Sequence, residues 1–247
     1  MLITLSFVES KMSSVLCENV KVDIQDSIKY KFIKSEDVVN LLKTMEVKLW
    51  GYPIDDIPDG KVEEMLLNNM PMISNAQVWS TVDGSFYINI SQRNPIARIV
   101  NKMGQSFYLS EDGYILPMSP NFTSRVLVVS GDIYYKSTLT SKVTVDSIVQ
   151  SQGAENVMID DIYKMASFIY NDSLLKRQID QMYVNKGEFE LIPKVGTHVI
   201  DFGTVDGMLN KFLKLKVIYY KGFSNLGWNK YSRVNLKYKN QVVCTKR

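Results

Sequence analysis

Apolar and polar residues alternate most cleanly along residues 76–92, where Ala76–Thr81 and Ser85–Gln92 read as two strands separated by Val82-Asp83-Gly84. Phe86, Ile88 and Ile90 fall on one face and Tyr87, Asn89 and Ser91 on the other, the period of two expected of a half-buried strand. Asp-Gly favours the positive φ angles of a tight hairpin. Arg93-Asn94-Pro95 then interrupts, because Pro95 has no N–H to give a sheet and biases Asn94 toward extended geometry. A hairpin ending on a stiff Arg-x-Pro junction, with new strands directly after it, marks a seam between two small domains.

Before the seam, Val20–Ile24 alternates as a strand. Ser35 is placed to cap a helix whose apolar stripe is Val38, Leu41, Leu42 and Met45, at i, i+3, i+4 and i+7. A second helix spans about Lys61–Asn69, closed by Pro71. The order β-α-α-β-β puts two helices on one face of a three-stranded sheet. After the seam, strands are expected at Ile96–Asn101, Gln105–Leu109, Tyr114–Leu116 and Arg125–Ser130. A helix follows over Val157–Tyr170, with Met158, Ile162, Met165 and Ile169 inward, and a short one from Ser173 to Met182. Phe189–Pro193 and Thr197–Phe202 form a hairpin around Lys194-Val195-Gly196. A long helix over Val205–Tyr220 turns Met208, Phe212, Leu215 and Tyr219 inward. Tyr231–Tyr238 is a strand, and Gln241–Cys244 is its continuation or the return arm of a hairpin. The fold class is α+β, the second domain being mainly antiparallel β with flanking helices.

Composition changes this picture in one respect. The formal charge is only +3, yet residues 207–247 hold ten Lys/Arg and no Asp/Glu, leaving 19 basic and 26 acidic residues in the rest of the chain. A basic tail on an acidic body suits an anionic partner, whether an acidic protein segment, a membrane surface or nucleic acid. It also fits a solvated lysine-rich face. The lysines mixed with Tyr219, Tyr220, Trp228, Tyr231 and Tyr238 only superficially suggest a nucleic-acid surface, since those aromatics fall at core spacing. Met1–Val8 is too short to cross a bilayer, which takes about 20 helical residues. It is read either as a first strand or leader, or as the outer end of a transmembrane helix.

Candidate chemistry is sparse. His198 is the only histidine, and its expected place is an ordinary strand position. Two cysteines, Cys17 and Cys244, form no C-x-x-C pair, so neither a zinc site nor a redox motif has support. Asp55-Asp56, Glu63-Glu64 and Asp160-Asp161 are neighbours whose side chains diverge. No Gly-rich phosphate loop occurs. The reading is a binding or scaffolding protein, with no enzyme activity, cofactor, metal or small-molecule substrate.

Several segments, taken in order, carry a resemblance. They are Ala76-Gln-Val-Trp79, Asp83-Gly84, Ile88-x-Ile90-x-Gln92-Arg93-x-Pro95-Ile96-x-Arg98, Gly104–Gly113, Leu116-Pro-Met-Ser119, Glu190–Gly196, Lys211–Leu215, Trp228–Tyr231 and Val234–Tyr238. This succession resembles the FtsQ/DivIB family of bacterial cell-division proteins, in the style of its Bacteroidetes members, from about Val20 to Arg247. The resemblance implies a leader or transmembrane remnant over residues 1–19, a POTRA-type domain over 20–93 and a β domain over 94–247. It implies a non-enzymatic scaffold that links early and late division proteins on the periplasmic side of the inner membrane, anchored there by a single helix. FtsB/FtsL-type partners would bind by β-augmentation at a strand edge near the carboxyl end. Other division proteins would meet the POTRA unit through its edge near Val20–Ile24.

The expected partner edge comprises Arg233, Val234, Asn235, Leu236, Lys237, Tyr238, Val242 and Val243, with its apolar residues facing the core and its basic residues facing an acidic partner. Arg93 and Pro95 are expected to set the junction between domains rather than to touch a ligand. Three rival readings are a POTRA-bearing envelope assembly or chaperone component, an envelope hydrolase and a nucleic-acid binder.

Overall fold

The computed structural model describes residues 15–25, 31–136, 142–152, 157–223 and 227–247. The chain divides into two compact units, one running up to Arg93 and including Ser119–Ser124, the other comprising Asn94–Met118 and Arg125–Arg247. Met1–Val8 lies outside the described residues.

The first unit has the β-α-α-β-β order expected. Its strands are β1 (Asn19–Ile24), β2 (Ile73–Ser80) and β3 (Ser85–Gln92), and its helices are α1 (Ser35–Thr44) and α2 (Asp59–Asn69). The sheet order is β1-β3-β2, with β1 parallel and β2 antiparallel to β3. Phe86, Ile88 and Ile90 are buried, as are Val38 and Leu42 of α1 and Val62 and Leu66 of α2. The opposite face carries a cross-strand ladder in which Lys21 stands over the Tyr87 ring and Tyr87 stacks on Trp79.

Two local expectations are corrected. Lys34, not Ser35, occupies the helix cap position, and the Asp37 carboxylate accepts from the Lys34 N–H at 2.8 Å. At the hairpin, Gly84 alone takes positive φ, at 83°. Asp83 instead serves as an acceptor, bonding the hydroxyls of Thr81 and Ser85. Those bonds hold its carboxyl below the usual range, the Thr81 bond contributing most.

The second unit is a ten-stranded sheet. Its strands are β4 (Pro95–Val100), β5 (Ser106–Ser110), β6 (Tyr114–Leu116), β7 (Leu127–Gly131), β8 (Val143–Thr144), β9 (Ile179–Asn185), β10 (Glu188–Pro193), β11 (Val199–Gly203), β12 (Tyr231–Asn235) and β13 (Val243–Lys246). Their order is β13-β12-β11-β10-β9-β7-β4-β5-β6-β8, antiparallel except at the β4/β7, β7/β9 and β11/β12 pairs. The helices are α3 (Val145–Gln152), α4 (Val157–Asn171), α5 (Ser173–Gln178) and α6 (Met208–Val217). Ile162, Met165 and Ile169 of α4 and Phe212 and Leu215 of α6 are buried in one core with the sheet. Gly131 has no room for a side chain, because a Cβ would sit 2.1 Å from the Val184 carbonyl oxygen of β9.

The helix expected to run through Met182 stops at Gln178, and the chain continues as β9. Asp172 caps α5 by accepting from the N–H groups of Leu174 and Leu175. The α6 helix occupies only the middle of the expected Val205–Tyr220 span, and a wider π turn over Ile218–Phe223 carries the chain onward.

Candidate interaction surface at the carboxyl-terminal sheet margin

The margin is built from β10, β11, β12, β13 and α6. After β11 the chain crosses through α6 and returns as β12, parallel to β11 with Val199 opposite Arg233 and Asp201 opposite Asn235. Val234 and Leu236 are fully buried and anchor β12 in the core. The Leu236 N–H donates to the Asp201 carbonyl at 2.9 Å. Gln241–Cys244 resolves as the start of a return arm: β13 lies antiparallel on β12, with Cys244 opposite Val234 and Val243 opposite Asn235.

The edge is therefore one strand further out than expected. The Tyr231–Tyr238 strand ends at Asn235 and is paired on both sides. Its basic residues are also engaged within the chain. Arg233 forms a two-oxygen bond with Asp201 and a second ion pair with Glu190 at 3.0 Å, and Lys237 pairs with Glu188. The Asp201 bond raises the Arg233 guanidinium further above its usual value. Asn235 accepts from the Lys237 N–H. Of the eight residues expected at the edge, Val234 and Leu236 are core, Arg233 and Lys237 are tied to acids of β10 and β11, and Asn235 holds the Lys237 N–H. Tyr238, Val242 and Val243 remain at the surface, with Tyr238 49% and Val243 41% exposed and Val242 half-buried. Arg93 is buried in the first unit, its side chain donating to the Pro71 carbonyl and its N–H to the Met72 carbonyl, while Pro95 opens β4 of the second unit.

A groove of about 720 Å³ runs between α6 and the β12–β13 hairpin. Leu213, Val217, Phe223 and Tyr231 line it from within, Val242 and Cys244 from the hairpin, and Lys214 and Lys239 at its rim. Leu213 is 58% exposed and continues an outward stripe, Leu209, Leu213, Val217 and Tyr220, that the sequence reading missed. Its signal is present in the i, i+4, i+8 spacing of the aliphatics, opposite the inward stripe. Lys214 Nζ donates to the carbonyls of Tyr238 and Lys239 at 2.7 Å each and pins the turn to the helix. The Lys211 ammonium, over the Phe202 ring, is held below its usual pKa mainly by burial.

Beneath the groove lies an aromatic cluster around His198. The imidazole is 1% exposed, with Nε2 3.1 Å from the Tyr219 hydroxyl and its ring against Phe223 and Trp228. Burial lowers its pKa to about 4 and raises that of the Tyr219 phenol. No carboxylate faces the imidazole among the described residues, and no group of three or more His, Cys, Asp or Glu there is placed to hold a metal ion. Both cysteines are free thiols, their pKa values raised by burial.

Four strands end the two sheets, and they are finished differently. On β1 the Val22 carbonyl accepts from Ser35 Oγ of α1 at 3.4 Å. On β2 the Val78 N–H donates to the Glu63 carboxylate of α2 at 2.8 Å. On β8 the Thr144 N–H and carbonyl are both taken by the Ser147 hydroxyl of α3, at 3.1 and 2.7 Å. On β13 the one side chain that bonds the backbone, among the described residues, is Ser232 from the neighbouring strand β12.

A family model described as FtsQ/DivIB, C-terminal related, matches residues 94–245, and one described as a POTRA-like domain matches residues 15–91. The first alone covers more than half of the chain. A search of the curated proteins finds no match. Families of these two kinds are generally non-enzymatic, and the first is one of membrane-anchored division-site proteins. No helix among the described residues is long and apolar enough to cross a membrane.

Proposed function

The chain belongs to the FtsQ/DivIB-related family, and from that premise we propose that it is a non-enzymatic division scaffold that captures FtsB/FtsL-type partners by β-augmentation, linking early and late division proteins during septum formation. In this reading the region works on the periplasmic side of the inner membrane, at the division site. The observation that supports the proposal is that, among the described residues, no helix side chain bonds the backbone of the carboxyl-terminal edge strand, whereas each of the other three edge strands has a backbone group taken by a helix side chain. Natural proteins block bare strand edges because such edges recruit other strands, so a bare edge beside an apolar groove is a prepared docking place. An extended partner segment gains main-chain hydrogen bonds there, and the groove receives its alternate side chains and fixes register. The acid-free stretch over 207–247 favours an acidic segment and speeds its encounter.

Leu213→Glu combined with Tyr238→Ala tests the proposal. Both positions are largely exposed, so the fold persists. Titration with an FtsB-like segment is expected to show a loss of affinity greater than tenfold, with an unchanged melting temperature. Unchanged affinity rejects the reading.

A further inference from the structure

The outermost strand covers a better-anchored one, and we propose that β13 is a self-supplied cover that the partner strand displaces from β12, rather than a strand that the partner extends. This deepens the proposed function and rests on its premise that a partner takes the carboxyl-terminal margin.

The two strands of the hairpin are held very differently. β12 needs nothing from β13: Val234 and Leu236 are buried in the core, Arg233 bridges to Asp201 and Glu190 on the two strands behind it, and β11 pairs it on the inner side. β13 has four residues, of which only Cys244 is half-buried. Apart from its pairing to β12 and the half-buried packing of Val242 and Cys244 on the core, the terminal segment is held by three bonds: Ser232 Oγ to the Thr245 carbonyl at 3.2 Å, the Arg247 N–H to the Lys230 carbonyl at 3.2 Å and the Arg247 side chain to the Thr197 carbonyl at 2.9 Å. Water replaces such bonds at small net cost. Because Lys214 pins the carbonyls of Tyr238 and Lys239 to α6, the segment free to leave is Asn240–Arg247.

Beside α6, Val242 and Cys244 line a solvent-open groove that leaves Leu213 and Val217 exposed. A larger apolar side chain seated there removes more of that surface from water than valine or cysteine does. Charge points the same way. β13 brings Lys246 and Arg247 beside Lys230, in a stretch without a single acid. The occupant that outcompetes it is therefore an extended acidic segment with bulky apolar residues at alternate positions. A second copy of this hairpin is the wrong sign.

The test uses the full chain. A disulfide between the facing positions, Asn235→Cys with Val243→Cys on a Cys244→Ser background, locks the cover shut when oxidised. The probe is a synthetic peptide copying residues 240–247 with Cys244→Phe, Lys246→Glu and Arg247→Glu. Hydrogen exchange is expected to show amides 243–246 at least 100-fold less protected than those of β12 at Val234 and Asn235. The peptide is expected to bind the reduced chain and to bind the oxidised chain at least tenfold more weakly. Equal protection of β12 and β13 overturns the proposal, as does failure of the reduced chain to bind the peptide. Equal binding to both forms also overturns it, and assigns the added strand to the outside of β13. None of these readings needs the natural partner, so the proposed function stands or falls separately on the Leu213/Tyr238 titration.

Discussion

The β2 and β13 margins solve the same problem in opposite ways. On β2, Glu63 of the adjoining helix reaches the Val78 N–H and occupies the place a visiting strand would need. On β13 the adjoining helix offers no such group. α6 presents aliphatics outward, and its one lysine that reaches the hairpin spends its donors on the turn carbonyls of Tyr238 and Lys239. The plugs at β1 and β8 are serines in the first turn of the helix next to the strand, where a hydroxyl sits well, and the plug at β2 is a glutamate one turn further along its helix. α6 starts with Gly207 and Met208 and has no acid in its first turn. The difference teaches that an edge is left bare by the composition of the helix beside it as much as by the strand itself.

The comparison can be broken or sharpened by substitution, beginning with the largest effect. Val234→Asp buries a charge with no partner beneath the margin and is expected to cost more than about 4 kcal/mol, visible as loss of the folded baseline in urea. If the protein tolerated it, β12 would not be the anchored strand on which the cover rests.

Acid comes next. His198 titrates near 4 in the fold against the ordinary 6.5, so the unfolded chain holds more protons between those values. The stability due to neutral His198 is complete above about pH 6.5, declines as pH falls toward 4 and is flat below that. The full loss is about 3 kcal/mol. Urea midpoints followed from pH 7 to 4 measure it, and His198→Phe is expected to flatten this part of the profile.

Glu63→Ala unplugs β2. It leaves the Val78 N–H without its acceptor, at a cost of about 1–2 kcal/mol. It is also expected to give concentration-dependent self-association in sedimentation, which β13 resists through its positive charge. The smallest effect belongs to Lys237→Ala, which removes an exposed pair with Glu188 worth under about 1 kcal/mol. Because that lysine is already neutralised, partner affinity in the same titration is expected to change less than threefold.

Periodicity made much of this fold legible. The alternation of Phe86, Ile88 and Ile90 and the stripe of Ile162, Met165 and Ile169 each named buried residues, because a single face against a single core imposes its period on the sequence. The β9–β10 hairpin was missed although Lys186-Gly187 announces it, with φ of 49° and 83° at the two positions. The helical character of Ser173–Gln178 ran on visually into Ile179–Met182. The site was legible in part. Of the residues expected at a partner edge, Tyr238 and Val243 are exposed and Val242 is half-buried. Arg233 and Lys237 were read as facing outward to a partner, since no local pattern shows that Glu188, Glu190 and Asp201, 32 to 49 residues away, would claim them.

The sequence by itself determined the two-part order of elements, the apolar faces and the concentration of positive charge after residue 206. Those depend on neighbours within a turn or a strand, where side-chain period and charge are written directly. Only the tertiary structure decided which strand is outermost, which margins are plugged and which lysines are already paired. Each of those depends on contacts between residues far apart in the chain, and strand order is set by the packing free energy of the whole sheet rather than by any segment of it.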